Sequence, residues 1–113
     1  AKRAIRYLAA KGVGKEAVVL GKFGTHGYQY VASKLGARYF KISEPLWNSL
    51  SKEAQWQLNK AFLRVAHNEG RTIALAKKVR RIESETGYFR KELEYLLTLG
   101  YRLSDDGMFM IIP

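Results

Sequence analysis

Cysteine is absent from this sequence of 113 residues, and acidic residues are few. Without cysteine the chain has neither a disulfide framework nor a thiolate zinc site. No apolar run approaches the roughly 20 residues that a membrane-spanning helix requires, so we expect no membrane span. Aspartate does not occur before Asp105, and a metal clamp needs converging carboxylates, so we expect neither a metal nor any other cofactor. Pairs built from Glu16 and Glu44, or from Glu83 and Glu85, remain open as alternatives.

Basic residues outnumber acidic ones, with 20 Lys and Arg against 10 Asp and Glu and a formal net charge of +10. This surplus favours a polyanionic partner, since each phosphate that the protein neutralises releases counterions. An acidic protein partner satisfies the same electrostatics, and a basic surface that serves only solubility is a third interpretation. The hydrophobic content of 47%, with seven Tyr, five Phe and two Trp, predicts an ordered core.

The apolar runs and glycines predict a single α/β domain over residues 1–113, beginning with a short N-terminal helix within residues 1–12. The predicted helices are 2–11, 28–35, 45–50, 51–70 and 86–100. The predicted strands are 17–20, 38–42, 72–76, 101–104 and 108–112, and residues 77–85 are predicted to form a loop. Strands that alternate with helices indicate βαβ units. We therefore expect a largely parallel or mixed five-stranded sheet with flanking helices and a C-terminal β-hairpin around an Asp-Gly turn.

A glycine-rich turn, residues 21–27, connects the first predicted strand to the helix that follows it. It carries Lys22, Thr25 and His26. In parallel α/β sheets, ligands bind beyond the carboxyl ends of strands, near helix N-termini that attract anions. The turn is therefore the predicted catalytic site. The other histidine, His67, lies in the last turn of a long helix and is interpreted as structural.

If the partner is RNA, cleavage needs a base for the 2′-hydroxyl, an acid for the leaving oxygen and cations for the phosphate. His26 is predicted as base or acid, Lys22 as a phosphate clamp and Thr25 as an orienting hydroxyl. Tyr28 is predicted to stack an unpaired base, with either it or Tyr30 in the core. Further RNA contacts are predicted from basic residues near strand ends and in the loop that follows the third strand, namely Arg38, Lys41, Lys77, Lys78, Arg80 and Arg81. The loop residues equally suit a solvated surface.

Other catalytic signatures are missing from the chain. The spacing Gly21-x-x-Gly24-x-x-Gly27 is neither the dinucleotide fingerprint nor a phosphate-binding Walker loop. No serine lies in a G-x-S-x-G nucleophile elbow. Aromatic residues at core-like spacings, which we assign to the core, are Trp47, Trp56, Phe62 and Phe89.

A longer pattern extends from Leu20 to Tyr101. It consists of the segment LGKFGTHGYQYVASKLGARYFKI, then Trp47, then Asn59-x-x-Phe62-Leu63, and finally the segment GYFRKELEYLLTLGY. This pattern resembles the C-terminal toxin domains of contact-dependent growth inhibition and other polymorphic toxin systems. Such domains terminate large bacterial exoproteins of the filamentous-haemagglutinin type. The start at Ala1, without a signal peptide, fits an expected segment of a longer chain.

The resemblance implies an antibacterial toxin domain. Members of this class are commonly nucleases, often tRNases, and each is neutralised by a cognate immunity protein. Together with the lack of converging carboxylates, the resemblance leads us to expect a metal-independent ribonuclease acting on tRNA. The implied partner is an immunity protein, expected to be acidic if it masks the basic surface. The implied location is a secreted or cell-surface exoprotein whose C-terminus acts in the target-cell cytoplasm. Asn59 lies within the resembling part, as a functional residue or a buried orienting amide.

Two further hypotheses remain at this point. The first is a non-catalytic basic module that binds nucleic acid or an acidic protein, which predicts salt-sensitive binding without cleavage. The second is a toxin that attacks a nucleotide cofactor such as NAD, with the glycine turn receiving the pyrophosphate. The missing dinucleotide fingerprint argues against this second hypothesis.

Overall fold

Two short parallel strands lie at the centre of the fold. In the computed structural model, which describes residues 1–113, these strands are β1 (Val18–Leu20) and β2 (Ile73–Leu75). A strand pair follows on the other side of β2, with β4 (Phe109–Ile111) antiparallel to β2 and β3 (Arg102–Leu103) antiparallel to β4. The sheet order is therefore β1-β2-β4-β3. All residues of β1 and β2 are buried, as expected for continuous apolar runs covered on both faces.

Five α-helices and one 3-10 turn surround the sheet. The α-helices are α1 (Lys2–Ala10), α2 (Tyr28–Leu35), α3 (Glu44–Ser49), α4 (Lys52–Asn68) and α5 (Gly87–Thr98), and the 3-10 turn is Ile82–Ser84. Side chains alternate across β1, so Val18 and Leu20 pack with residues of α4 and α5 while Val19 packs with residues of α1 and α2. The chain is thus an α/β domain with a four-stranded mixed sheet between two helical layers.

The main difference from the sequence prediction is at residues 38–42, which do not form a strand. The sheet therefore has four strands and not the five that were predicted. Only Arg38 bridges to Val18: its N–H donates to Ala17 O and its O accepts from the Val19 N–H, each at 2.9 Å. The chain then leaves the sheet because Phe40 packs edge-on against Trp47 and Phe62, with ring centroids 5.8 and 5.7 Å away.

Helix boundaries follow local signals. Ser43 and Ser51 cap α3 and α4, accepting hydrogen bonds from the N–H groups three residues later at 3.4 and 3.1 Å. Gly36 ends α2 with a left-handed φ of 67°, a conformation that suits glycine. No helix is both long enough and apolar enough to cross a bilayer.

The aromatic residues assigned to the core lie in two different places. Phe89 is buried as predicted. Phe62 is partly buried and packs against the core cluster that contains Leu63 and Phe89, in agreement with its assignment. Trp47 and Trp56 are only half-buried, so their assignment to the core was wrong. They belong to a row of rings shared by α3, α4 and α5, in which Trp56 stacks on Tyr88 at 6.3 Å between centroids. Rings at helical spacing can cover a surface between helices as well as fill a core.

Candidate functional site

The parallel strands β1 and β2 end side by side, so the residues that follow them share one edge of the sheet. Gly21 follows β1 and Ala76 follows β2. A β-carbon on Gly21 would lie 2.8 Å from the Ala76 β-carbon and 3.2 Å from that of Tyr28. Glycine is therefore required at this position, since only its lack of a side chain lets the first residue of α2 sit against the end of β1.

The carboxyl group of Glu92 reaches this edge from α5. Glu92 is only 8% exposed, and with Leu20, Gly21, Tyr28 and Phe40 it lines a cavity of about 10 Å³, which is about the space of a single water. Burial raises the pKa of the Glu92 carboxyl to about 8, with no other cause acting on it. The carboxyl is therefore mostly protonated at neutral pH and can donate a proton.

A second buried carboxylate, Glu85, lies just before α5 and joins the ends of the two strands. Its side chain contacts Lys77 Nζ at 3.1 Å and Lys22 Nζ at 3.8 Å. Lys22 comes two residues after β1, and Lys77 two residues after β2. Both lysines are about half-exposed. Each ammonium has three donors, so both keep donors free for a ligand in solvent.

Two helices also begin at this edge. Tyr28 opens α2 and Gly87 opens α5, and neither N-cap residue, Gly27 or Thr86, supplies a side-chain cap. The first N–H groups of a helix have no partner within the helix and carry a partial positive charge. In α2 the Tyr28 N–H is satisfied by Lys22 O at 3.2 Å, so the N–H groups that follow it are the ones available to a ligand. We call the site formed by Lys22, Tyr28, Lys77, Glu85 and Glu92, together with these two helix starts, the acid–lysine corner. It combines groups that attract an anion with a protonated acid.

Some of the residues predicted for this region lie in the corner and others lie outside it. The structure brings Lys22, Tyr28 and Lys77 together in the acid–lysine corner. Tyr28 is half-buried, lies edge-on to Tyr39 at 6.2 Å, and has a pKa raised chiefly by burial. By contrast, Thr25 and His26 lie in the exposed part of the turn.

The His26 ring lies edge-on to that of Tyr30, with centroids 5.0 Å apart. This contact places His26 beside α2 and leaves its nitrogens accessible. A surface position does not prevent a histidine from acting on a substrate that covers it.

The remaining predicted RNA contacts lie on the surface. Arg38 and Lys41 are exposed after α2. In the basic run 77–81, Val79 is buried and its N–H donates to Gly107 O at 2.8 Å. This anchor fixes the run, while its four basic side chains, including Lys77 of the acid–lysine corner, are exposed. Arg81 pairs with Glu83 at 4.0 Å.

Sequence reasoning missed Glu92 as a site residue, and it named Glu85 only as an alternative metal ligand together with Glu83. A signal for Glu92 is present, because Phe89, Glu92, Leu93 and Leu96 follow the spacing i, i+3, i+4, i+7 of one buried helix face. A lone carboxylate on such a face indicates a buried acid. No comparable signal marks Glu85, whose burial depends on where both lysines lie in the fold.

Other polar residues singled out in the sequence have local partners. Asn59 is buried, and its Nδ2 donates to Gln55 O at 3.1 Å, as an orienting amide would. The His67 Nδ1 lies 3.0 Å from the Tyr101 hydroxyl, which fits a structural role. Glu16 pairs with Arg71 at 3.3 Å. No group of three or more histidine, aspartate or glutamate side chains converges as metal ligands would.

Comparisons of the chain with protein-family models, with curated protein sequences and with solved structures gave no match. The resemblance to toxin domains therefore stays a prediction from the sequence.

Proposed function

We propose that this domain is a ribonuclease that cleaves RNA by acid–base transphosphorylation at the acid–lysine corner. One observation carries the proposal: at the carboxyl edge of the parallel strands, Lys22 and Lys77 meet on the buried Glu85, and the buried Glu92 carboxyl, whose pKa is raised to about 8, lines the cavity at Gly21. Two helices without a side-chain cap begin at the same edge. This is the edge at which α/β sheets hold ligands. The net charge of +10 favours a polyanionic substrate.

In this proposal the scissile phosphate binds to Lys22, Lys77 and the N-termini of α2 and α5. Glu85 contacts Lys77 Nζ through both carboxylate oxygens, at 3.1 and 3.2 Å, and Lys22 Nζ through one oxygen at 3.8 Å. It thereby holds both ammonium groups at the ends of the strands. Two cations and one anion leave this cluster net positive. An additional anion is therefore attracted, and the lysines can stabilise the charge that develops on the phosphate oxygens.

The chemical step transfers two protons. The 2′-hydroxyl gives its proton to His26, and the 2′-oxygen attacks phosphorus. As the bond from phosphorus to the 5′-oxygen breaks, Glu92 gives its proton to that oxygen at the mouth of the water-sized cavity. The products are a 2′,3′-cyclic phosphate and a 5′-hydroxyl. Burial destabilises the Glu92 anion that remains, so it recovers a proton readily. Thr25 orients the substrate, and the exposed basic residues beyond the corner hold the flanking backbone.

The proposed target, delivery and partner of the domain follow from the sequence resemblance. The domain acts as an antibacterial toxin on tRNA in the cytoplasm of a target cell, after delivery as the C-terminus of a large exoprotein. Its cognate partner is an acidic immunity protein. Such a protein would neutralise the domain by covering the basic surface around the corner.

Incubating the purified domain with total RNA, with and without EDTA, tests the proposed activity. We expect cleavage in both conditions and fragments that end in a 2′,3′-cyclic phosphate. The Lys22→Ala and His26→Ala variants should lose most of the cleavage and most of the toxicity on expression. Lys15→Ala, which removes an exposed lysine before the start of β1, at the opposite end of the strand from Lys22, is the matched control.

Different results would favour the other hypotheses. Salt-sensitive RNA binding without cleavage or toxicity would favour a non-catalytic basic module. Loss of cellular NAD while RNA stays intact would favour a toxin that attacks that cofactor. Full toxicity of folded Lys22→Ala and His26→Ala variants would remove both residues from the mechanism.

A further inference from the structure

Phe23 is the most exposed large hydrophobic residue of the chain, at 83%, and the next, Ile112, is only 54% exposed. It directly follows Lys22 of the acid–lysine corner. An aromatic ring held in water is unfavourable, and this one lies beside a cluster of positive groups. A ligand that has both an apolar face and a negative charge would therefore bind favourably at this position.

The backbone around Phe23 is held in place on both sides. On one side, Lys22 contacts Glu85, and its O accepts a hydrogen bond from the Tyr28 N–H at 3.2 Å. On the other side, the Gly27 N–H donates to Gly24 O at 3.1 Å. A β-carbon on Gly27 would lie 2.1 Å from Lys22 O, so the two ends of the turn are closely packed. The Phe23 ring therefore projects into solvent from a turn whose two ends are held together by hydrogen bonds.

We propose that Phe23 is a stacking platform for the nucleobase next to the cleaved phosphate of single-stranded RNA. This inference rests on the proposed function and names the form of RNA that the site takes. Consecutive residues lie about 3.8 Å apart along the backbone, so a base on Phe23 and a phosphate on Lys22 can belong to neighbouring parts of one nucleotide strand. Proteins hold unpaired bases by such aromatic stacking, combined with cations on the backbone.

The surroundings of Phe23 favour a base over a protein partner. Its neighbours in the turn are Lys22, Gly24, Thr25 and His26, which are all polar or lack a side chain. The other exposed large hydrophobic residues lie outside residues 21–27. Protein interfaces have a contiguous apolar centre, whereas one ring with charged neighbours is enough to stack a base.

Binding of a fluorescently labelled oligouridylate tests the inference, with 2′-O-methyl groups that block cleavage and fluorescence anisotropy as the readout. A second oligonucleotide of equal length without bases reports the phosphate contacts alone. Phe23→Ala should weaken binding of the oligouridylate about 5-fold or more and leave binding of the abasic strand unchanged. Phe23→Trp should bind as the wild type does, and Phe23→Leu should bind as Phe23→Ala does. Ile112→Ala is the matched control and should change neither affinity.

If the wild type binds the oligouridylate, three results would overturn this inference without affecting the proposed function. The first is a Phe23→Ala variant that binds the oligouridylate with wild-type affinity, and the second is a Phe23→Leu variant that does so. The third is a Phe23→Ala variant that loses equal affinity for the oligouridylate and the abasic strand. The second would indicate general apolar contact, as with a protein partner. Failure of the wild-type domain to bind either strand would overturn both this inference and the proposed function. Because Phe23 is exposed, none of these substitutions should unfold the domain.

Discussion

Replacing Glu92 with glutamine should stabilise the domain at neutral pH, although it removes the proposed acid. Burial raises the pKa of the folded Glu92 carboxyl to about 8, against an ordinary value of 4.5. Below about pH 4.5 the group is protonated in both folded and unfolded chains and contributes no pH-dependent cost. As the pH rises towards 8, only the unfolded chain releases the proton, so folding becomes less favourable.

The size of this effect follows from the two pKa values. Each pH unit between them costs about 1.4 kcal/mol, which gives roughly 3 kcal/mol at pH 7 and under about 1 kcal/mol at pH 5. A buried glutamine has nearly the same shape and no charge to lose. Glu92→Gln should therefore gain about 3 kcal/mol in free energy of unfolding at pH 7, and much less at pH 5.

Urea unfolding of wild type and Glu92→Gln at both pH values measures this gain. Glu94→Gln is the matched control, because Glu94 lies on the same helix, is exposed and pairs with Arg90 at 3.3 Å. An exposed pair contributes little, so this variant should stay within about 0.5 kcal/mol of the wild type. A Glu92→Gln variant that is no more stable than wild type at pH 7, or whose gain does not increase with pH, would refute the reasoning.

Three further predictions concern the acid–lysine corner and its turn. Gly27→Ala should lower the free energy of unfolding by about 1–3 kcal/mol, because its β-carbon would lie 2.1 Å from Lys22 O. Gly14→Ala is the control, since its β-carbon meets nothing nearer than 4.0 Å. Equal melting temperatures for the two variants would contradict this prediction. Glu85→Gln should tighten RNA binding at low salt, since Lys22 and Lys77 lose their counter-charge, and weaker binding by a folded variant would count against the phosphate site. Lys22→Ala should reduce the slope of log affinity against log salt by roughly 0.7 for a single strand, and an unchanged slope would mean that Lys22 contacts no phosphate.

Local signals predicted the elements that depend on local chemistry. The helix at 28–35 was predicted with the same bounds as α2, because Gly27 and Gly36 mark its ends. The predicted strand at 38–42 was wrong beyond Arg38, because an apolar run does not tell whether its side chains cover a sheet or pack between helices. Phe40 does the latter, and that depends on where α3 and α4 lie.

The same limit applies to the acid–lysine corner. Lys22 and Lys77 were predictable as neighbours because each follows a strand of a parallel pair. Glu85 and Glu92 join them only because α5 packs across the end of β1, which no sequence spacing records. The helical spacing of Glu92 among buried residues was nevertheless readable, and a carboxylate on an apolar helix face is a signal to use in other chains.

Single-turnover cleavage of tRNA by wild type, Glu92→Gln and Glu94→Gln tests the central claim most directly. The proposed mechanism predicts that Glu92→Gln cleaves about 100-fold more slowly or worse while being the more stable protein at pH 7. Glu94→Gln should match the wild type. Cleavage by Glu92→Gln at the wild-type rate, or no cleavage by the wild type, would contradict the assignment of this corner as a ribonuclease site.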